Sequence, residues 1–171
     1  MKPTILLTGL PGIGKTTTIL EIIKKLPGPV SGFYTREIRK QNRRTGFEIV
    51  CLDGERGILA STEEQFEVKF GRYTINLRAI EELMVTRMQS PKGTFILDEI
   101  GRMELLCPEF RAVLFSLIDR GDIIATISLR DTQVTASIKS HPLTVLFELT
   151  LENRDVMADI IIDFLVKKET S

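Results

Sequence analysis

Residues 9–16 read Gly9-Leu10-Pro11-Gly12-Ile13-Gly14-Lys15-Thr16 and meet the pattern G-x-x-x-x-G-K-[ST] in full. Their context fits as well. The apolar run TILLT at residues 4–8 predicts a strand leading in. On the far side, Ile19, Ile22, Ile23 and Leu26 recur at helical spacing and predict a helix leading out. A loop of this kind lets backbone N–H groups close on a phosphate with no Cβ in the way, at the positive end of a helix dipole. Lys15 supplies a full charge at the β/γ bridge, Thr16 a hydroxyl for Mg²⁺, and Thr17 a contact to the α-phosphate. The expected ligand is therefore a nucleoside triphosphate with Mg²⁺. A dinucleotide fingerprint fails, because Gly12-Ile13-Gly14 runs into Lys15-Thr16-Thr17 without a third glycine in register.

Further along the chain, residues 30–39 and 45–52 predict two strands joined by a polar turn, with Phe47, Ile49 and Cys51 on one face. Gly54 and Gly57 predict another turn, and residues 65–70 a further strand. Asn76 is placed to cap a helix to about Gln89 with Leu77, Ile80, Met84 and Met88 inward. Strands follow at 94–98, 123–127 and 143–149, and helices after Pro108, at 131–139 and at the C-terminal end. The helix after Pro108 turns Phe110, Val113, Leu114, Leu117 and Ile118 inward, and the last one Met157, Ile160, Ile161, Phe164 and Leu165. Strands apolar on both faces, alternating with helices, predict an α/β fold. The expectation is a single domain over residues 1–171: a P-loop three-layer sandwich, its central sheet mostly parallel with an antiparallel β-hairpin extension.

The strand at 95–99, Phe-Ile-Leu-Asp-Glu, ends in two adjacent carboxylates. Beside a phosphate loop, Asp98 takes the Walker B role of holding Mg²⁺, and Glu99 is placed to orient the attacking water. Alone, such a strand end is a weak signal, since acids are common where strands meet loops.

Composition sets the remaining bounds. The 171 residues are 43% hydrophobic, and 23 Lys and Arg balance 23 Asp and Glu, so no global charge draws the chain to nucleic acid or membrane. Cys51 and Cys107 lie in apolar surroundings without metal-site spacing and read as buried thiols, and the single histidine, His141, reads as a turn residue before Pro142. The N-terminal apolar run is too short for a signal core or a membrane span, so a soluble, cytoplasmic protein is expected. The basic run Arg36 to Arg44 is a possible nucleic-acid contact, but charges of this kind usually keep a hairpin tip solvated.

Four segments, GLPGIGKTTT (9–18), GFYTREIR (32–39), LDEIGRMEL (97–105) and ENRD (152–155), resemble the small P-loop nucleoside-triphosphatase family of thermophile and cancer-related enzymes. The resemblance implies a Mg²⁺-dependent NTPase tolerant of the base, converting ATP, GTP, CTP or UTP to the diphosphate and phosphate. It also implies nucleotide contact by residues 9–16 and by Leu97, Asp98, Glu99, Ile100, Gly101, Arg102, Met103 and Glu104. Arg102 has two readings, a cation for the transition state supplied in cis or a solvated surface charge. Glu37 and Arg39 fit the family pattern too, but read first as a cross-strand pair. Asn153 and Thr150 read first as helix caps.

Two other functions compete. A small-molecule kinase of the nucleoside or nucleotide type would share both motifs, but such kinases commonly carry an arginine-rich lid to exclude water. Between Asp119 and Asp155 only Arg120, Arg130 and Arg154 are available for one. A nucleotide-gated binding module would use the basic hairpin as its partner surface. Neither the oligomeric state nor the base preference is legible in the sequence.

Overall fold

The computed structural model describes residues 3–169. Its central strands are continuous apolar runs because both of their faces are covered. In β1 (Thr4–Gly9), Leu6 enters one layer of side chains while Ile5 and Leu7 enter the other. β7 (Thr94–Ile100) divides the same way, Phe95 and Leu97 against Ile96, as does β8 (Ile123–Ile127), Ala125 and Ile127 against Ile124. The first layer is closed by α4 (Pro108–Arg120) and by a composite helix. The latter consists of α2 (Leu77–Ala79), a π-helical turn (Ile80–Val85) and α3 (Thr86–Gln89). The second layer is closed by α1 (Lys15–Lys25) and α6 (Met157–Glu169). This is the three-layer arrangement that the strand pattern predicts.

The remaining elements are β2 (Val30–Lys40), β3 (Arg43–Cys51), β4 (Arg56–Ser61), β5 (Val68–Phe70), β6 (Tyr73–Ile75), α5 (Gln133–Lys139) and β9 (Thr144–Leu149). All nine strands form one sheet in the order β5-β6-β4-β3-β2-β7-β8-β1-β9. From β2 to β9 neighbours are parallel; from β2 outward through β3, β4, β6 and β5 they are antiparallel. β2 serves both halves. Its residues Val30 to Phe33 pair with Thr94 to Leu97, and Phe33 to Lys40 pair with Cys51 to Arg43.

The extension is larger than the predicted hairpin. Residues 54–57 are not simply a turn, because Gly57 is inside β4. A Cβ there would lie 2.6 Å from Leu83 Cδ1, so the glycine admits the composite helix rather than bending the chain. β6 is a further unpredicted strand. The predicted strand at 65–70 is confined to Val68–Phe70. Asn76 does cap its helix, Oδ1 accepting the Ala79 N–H at 2.9 Å. Ile160 is 42% exposed and so stands outside the stripe that buries Met157 and Ile161. Asn153 does not cap α6, which begins four residues later. It ties the turn to the end of β9, accepting the Thr150 N–H and donating to the Glu148 carbonyl, both at 2.8 Å.

Cys51 and Cys107 are buried, and burial pushes both thiols up, Cys51 to about 11. His141 closes a turn, with Nδ1 accepting the Leu143 N–H at 3.3 Å and Nε2 3.0 Å from Asp119 Oδ1. No helix among the described residues is long and apolar enough to cross a membrane.

Candidate functional site

The phosphate loop leaves β1 at Gly9 and enters α1 at Lys15, with Gly12 at φ 77° and Gly14 at φ 114°. Gly14 occupies the α1 N-cap position without a side-chain cap, so the first-turn N–H groups of the helix receive no side-chain acceptor there. The loop is seated by Gly9, where a Cβ would lie 2.7 Å from the Leu149 carbonyl oxygen at the end of β9. Lys15 arches back over the loop and donates through Nζ to the carbonyls of Gly9 (3.0 Å) and Leu10 (3.2 Å). Leu10 is 62% exposed and Pro11 is exposed, whereas Ile13 is buried and anchors the loop in the core.

Two strands away, β7 delivers its acids. Asp98 is 1% exposed; Oδ2 accepts the Thr16 hydroxyl at 2.8 Å, and Oδ1 accepts the Thr126 hydroxyl. Burial raises the Asp98 pKa, opposed by these hydroxyls, by the Thr35 N–H and by Lys15. Thus Thr16 and Asp98, distant in sequence, present a hydroxyl and a carboxylate side by side. Two hard oxygen donors of this kind fit Mg²⁺, and a dication there would offset the cost of the buried charge.

A register shift against β8 falls between Leu97 and Ile100, at the level of Asp98 and Glu99. Leu97 and Ile100 are buried in the core, so a nucleotide can reach them only through the backbone. Glu99 is half-buried; its pKa is raised by burial and by the Asp98 charge and pulled down by Lys15. The chain then doubles back through a short 3-10 turn, Glu104–Leu106, which buries Glu104 against Glu99. Burial first, and the Glu99 charge second, push the Glu104 carboxyl up to about 8.

Gly101 is the spacer between these acids. A Cβ there would meet Glu99 Oε1 at 2.7 Å and Glu104 Oε2 at 2.8 Å. Gly101→Ala is therefore expected to displace both carboxylates and to lower turnover roughly ten- to a hundredfold at unchanged triphosphate affinity. Parallel turnover and binding measurements check this; equal turnover would mean that the Glu99 position is not critical.

Glu104 also predicts a pH effect on stability. Its carboxyl titrates near 4.5 when unfolded and near 8 when folded, so between those values the folded chain holds a proton that the unfolded chain releases. The stabilisation is complete below the lower value and is lost as pH rises through the upper one. Wild type should lose on the order of a few kcal/mol more than Glu104→Gln across that window. Denaturant melts of both proteins at the two ends of the window test it.

A cavity of about 260 Å³ opens beside the acids, between the parallel strands and the extension. Thr35, Phe47, Leu59 and Phe70 come from β2, β3, β4 and β5; Glu99, Arg102, Met103, Glu104 and Ser128 complete the wall. Arg102 is exposed, but it is not merely solvated: its guanidinium carbon lies 5.2 Å from the Phe70 ring centroid. Sequence reasoning missed this cavity, since its aromatic residues lie in the extension, far from either motif.

Four of the five basic residues of the hairpin, Arg36, Arg39, Lys40 and Arg44, pair with three acids. Glu37 pairs with Arg39 (2.7 Å) and Arg44 (3.0 Å), Arg36 pairs with Glu48, and Lys40 with Glu63. Glu37 thus pairs across the strands with Arg44, as read, whereas Arg39 meets Glu37 within β2 rather than across it.

The sequence model of the NTPase family matches residues 4–162. The nucleoside-triphosphatase THEP1 of Thermotoga petrophila is 45% identical over 155 residues, 88% of this chain and 86% of its own. The crystal structure of THEP1 from Aquifex aeolicus superposes with a TM-score of 0.84 at 34% identity, covering 95% of this chain and 98% of that one. The solution structure of a human cancer-related nucleoside triphosphatase gives 0.79 at 28% identity, covering 94% and 96%.

Proposed function

Because the chain belongs to the NTPase family, we propose that it hydrolyses ATP, GTP, CTP and UTP to the diphosphate and phosphate with Mg²⁺ bound at Thr16 and Asp98. The observation that carries this reading is the meeting of Thr16 with Asp98 at 2.8 Å, with Glu99 next in the chain. It supports a reading in which the γ end of a triphosphate on the loop lies at Asp98, next in the chain to the half-buried Glu99. The loop N–H groups bind the phosphates, and Lys15 exchanges its two loop carbonyls for phosphate oxygens at the β/γ bridge. Glu99 orients a water and accepts its proton, its basicity raised by burial and by Asp98. Arg102 neutralises developing charge from the cavity side. When bound, Mg²⁺ supplies Lewis-acid stabilisation of the phosphate oxygens.

No contact through the base belongs to this machinery, which suits a broad choice of nucleotide. The unpaired, buried thiols of Cys51 and Cys107 suit a reducing cytoplasm. Phosphate release from each of the four nucleotides, with and without Mg²⁺ and with no other substrate, tests the proposal. Release from all four only with Mg²⁺ is expected. Absence of release, with Mg²⁺-dependent binding retained, would make the chain a binding module instead.

A further inference from the structure

Hydrolysis needs room for one water, about 30 Å³ of liquid volume, yet the cavity beside Glu99 holds about 260 Å³. No residue of the phosphate loop, β1 or α1 lines it. In the sheet, β1 stands on one side of β7 and the cavity strands β2, β3 and β4 stand on the other. The loop and the cavity thus flank Asp98 and Glu99 from opposite sides. On the triphosphatase reading, the γ end of a triphosphate lies at Asp98 and Glu99, on whose far side the cavity opens, and its own base lies at the other end.

We propose that this cavity is an acceptor site, which takes a neutral nucleoside and presents its hydroxyl to the γ-phosphorus in place of water. The inference rests on the triphosphatase reading above. The volume, the Phe47 and Phe70 rings and the Leu59 side chain suit a planar base. The Thr35 and Ser128 hydroxyls suit the hydrogen-bonding groups of a base and ribose. The wall offers no spare cation for an acceptor phosphate: Arg102 is its one basic group, and it is engaged with Phe70 and faces the transferring γ-phosphate. In the step, a bond forms between the nucleoside hydroxyl oxygen and Pγ. The bond from Pγ to the oxygen bridging it to the β-phosphate breaks, and that oxygen leaves with the electron pair on the diphosphate. The hydroxyl proton passes to Glu99 and then to solvent. The products are a nucleoside monophosphate and a nucleoside diphosphate. The extension, rather than an arginine-rich lid after β8, shields the acceptor.

The test incubates the full chain with Mg²⁺ and γ-labelled ATP, alone and with millimolar adenosine, guanosine, cytidine or uridine, and separates the products by chromatography. Label is expected in the monophosphate of at least one nucleoside, with a matching fall in free phosphate. Leu59→Trp, which fills the cavity, should lower that transfer roughly tenfold or more. Its far-UV circular dichroism shows whether it folds, and the wild-type result stands without it. Normal phosphate release with no labelled nucleoside overturns the acceptor site alone, as does undiminished transfer by folded Leu59→Trp. Neither phosphate release nor labelled nucleoside overturns the triphosphatase reading with it.

Discussion

Glu99→Gln is expected to retain triphosphate binding and to slow phosphate release by about 10²- to 10⁴-fold, the range a positioned general base supplies. The amide keeps the size of the carboxylate, so the packing against Gly101, where a Cβ would lie 2.7 Å from Glu99 Oε1, is preserved. What it loses is the ability to accept a proton. Burial and the adjacent Asp98 charge both raise the pKa of Glu99, which makes it a stronger base than a solvated glutamate. On the proposed reading, binding draws on other groups: the loop N–H array, Lys15 and Thr16. Single-turnover phosphate release measured beside nucleotide titration separates the two effects. Turnover equal to wild type would remove Glu99 from the proton-accepting role, and lost affinity would move it into the binding set.

The second large effect is expected of Lys15→Ala, which should abolish measurable turnover, a loss of about 10³-fold or more, and weaken ATP binding more than ADP binding. Lys15 is the loop's own cation, and its charge acts on Asp98 and Glu99 as well as, on the proposed reading, on phosphate. The fold should survive. Only two hydrogen bonds to loop carbonyls are lost, each with a net worth of about 0.5–1.5 kcal/mol. A thermal melt within a few degrees of wild type, together with lost turnover, is the expected pair. Residual turnover near the wild-type level would show that the loop amides alone carry the phosphate charge.

What the sequence disclosed follows from which interactions are local. GLPGIGKT carries its own strand, turn and helix start, so loop and context are legible together. The apolar runs of β1, β7 and β8 are legible because burial on both faces leaves only a few small threonines and the acids at the end of β7 among their apolar residues. β4 and β6 are not, since RGILAS is short and carries Gly57, whose reason is the Leu83 side chain of a distant helix. A glycine required by packing looks the same in sequence as one required by a turn. The site divides likewise. Asp98 and Glu99 are visible once a phosphate loop is known to be present. The burial of Glu104 and the spacer role of Gly101 depend on how the chain folds back after β7. The cavity wall joins residues from 35 to 128, which no short motif can announce.

Phe33 belongs to two pairings at once, with Leu97 on the parallel side and Cys51 on the antiparallel side. Its ring also meets Phe95 edge-on, with centroids 6.0 Å apart, under the sheet. The extension is thus grafted onto the middle of a strand rather than hung from a linker, and no hinge lies between it and the core. Swinging it away would mean tearing β2 across. The sheet should therefore melt as one cooperative unit, and amide protection should run without a break from β1 through β2 into β3.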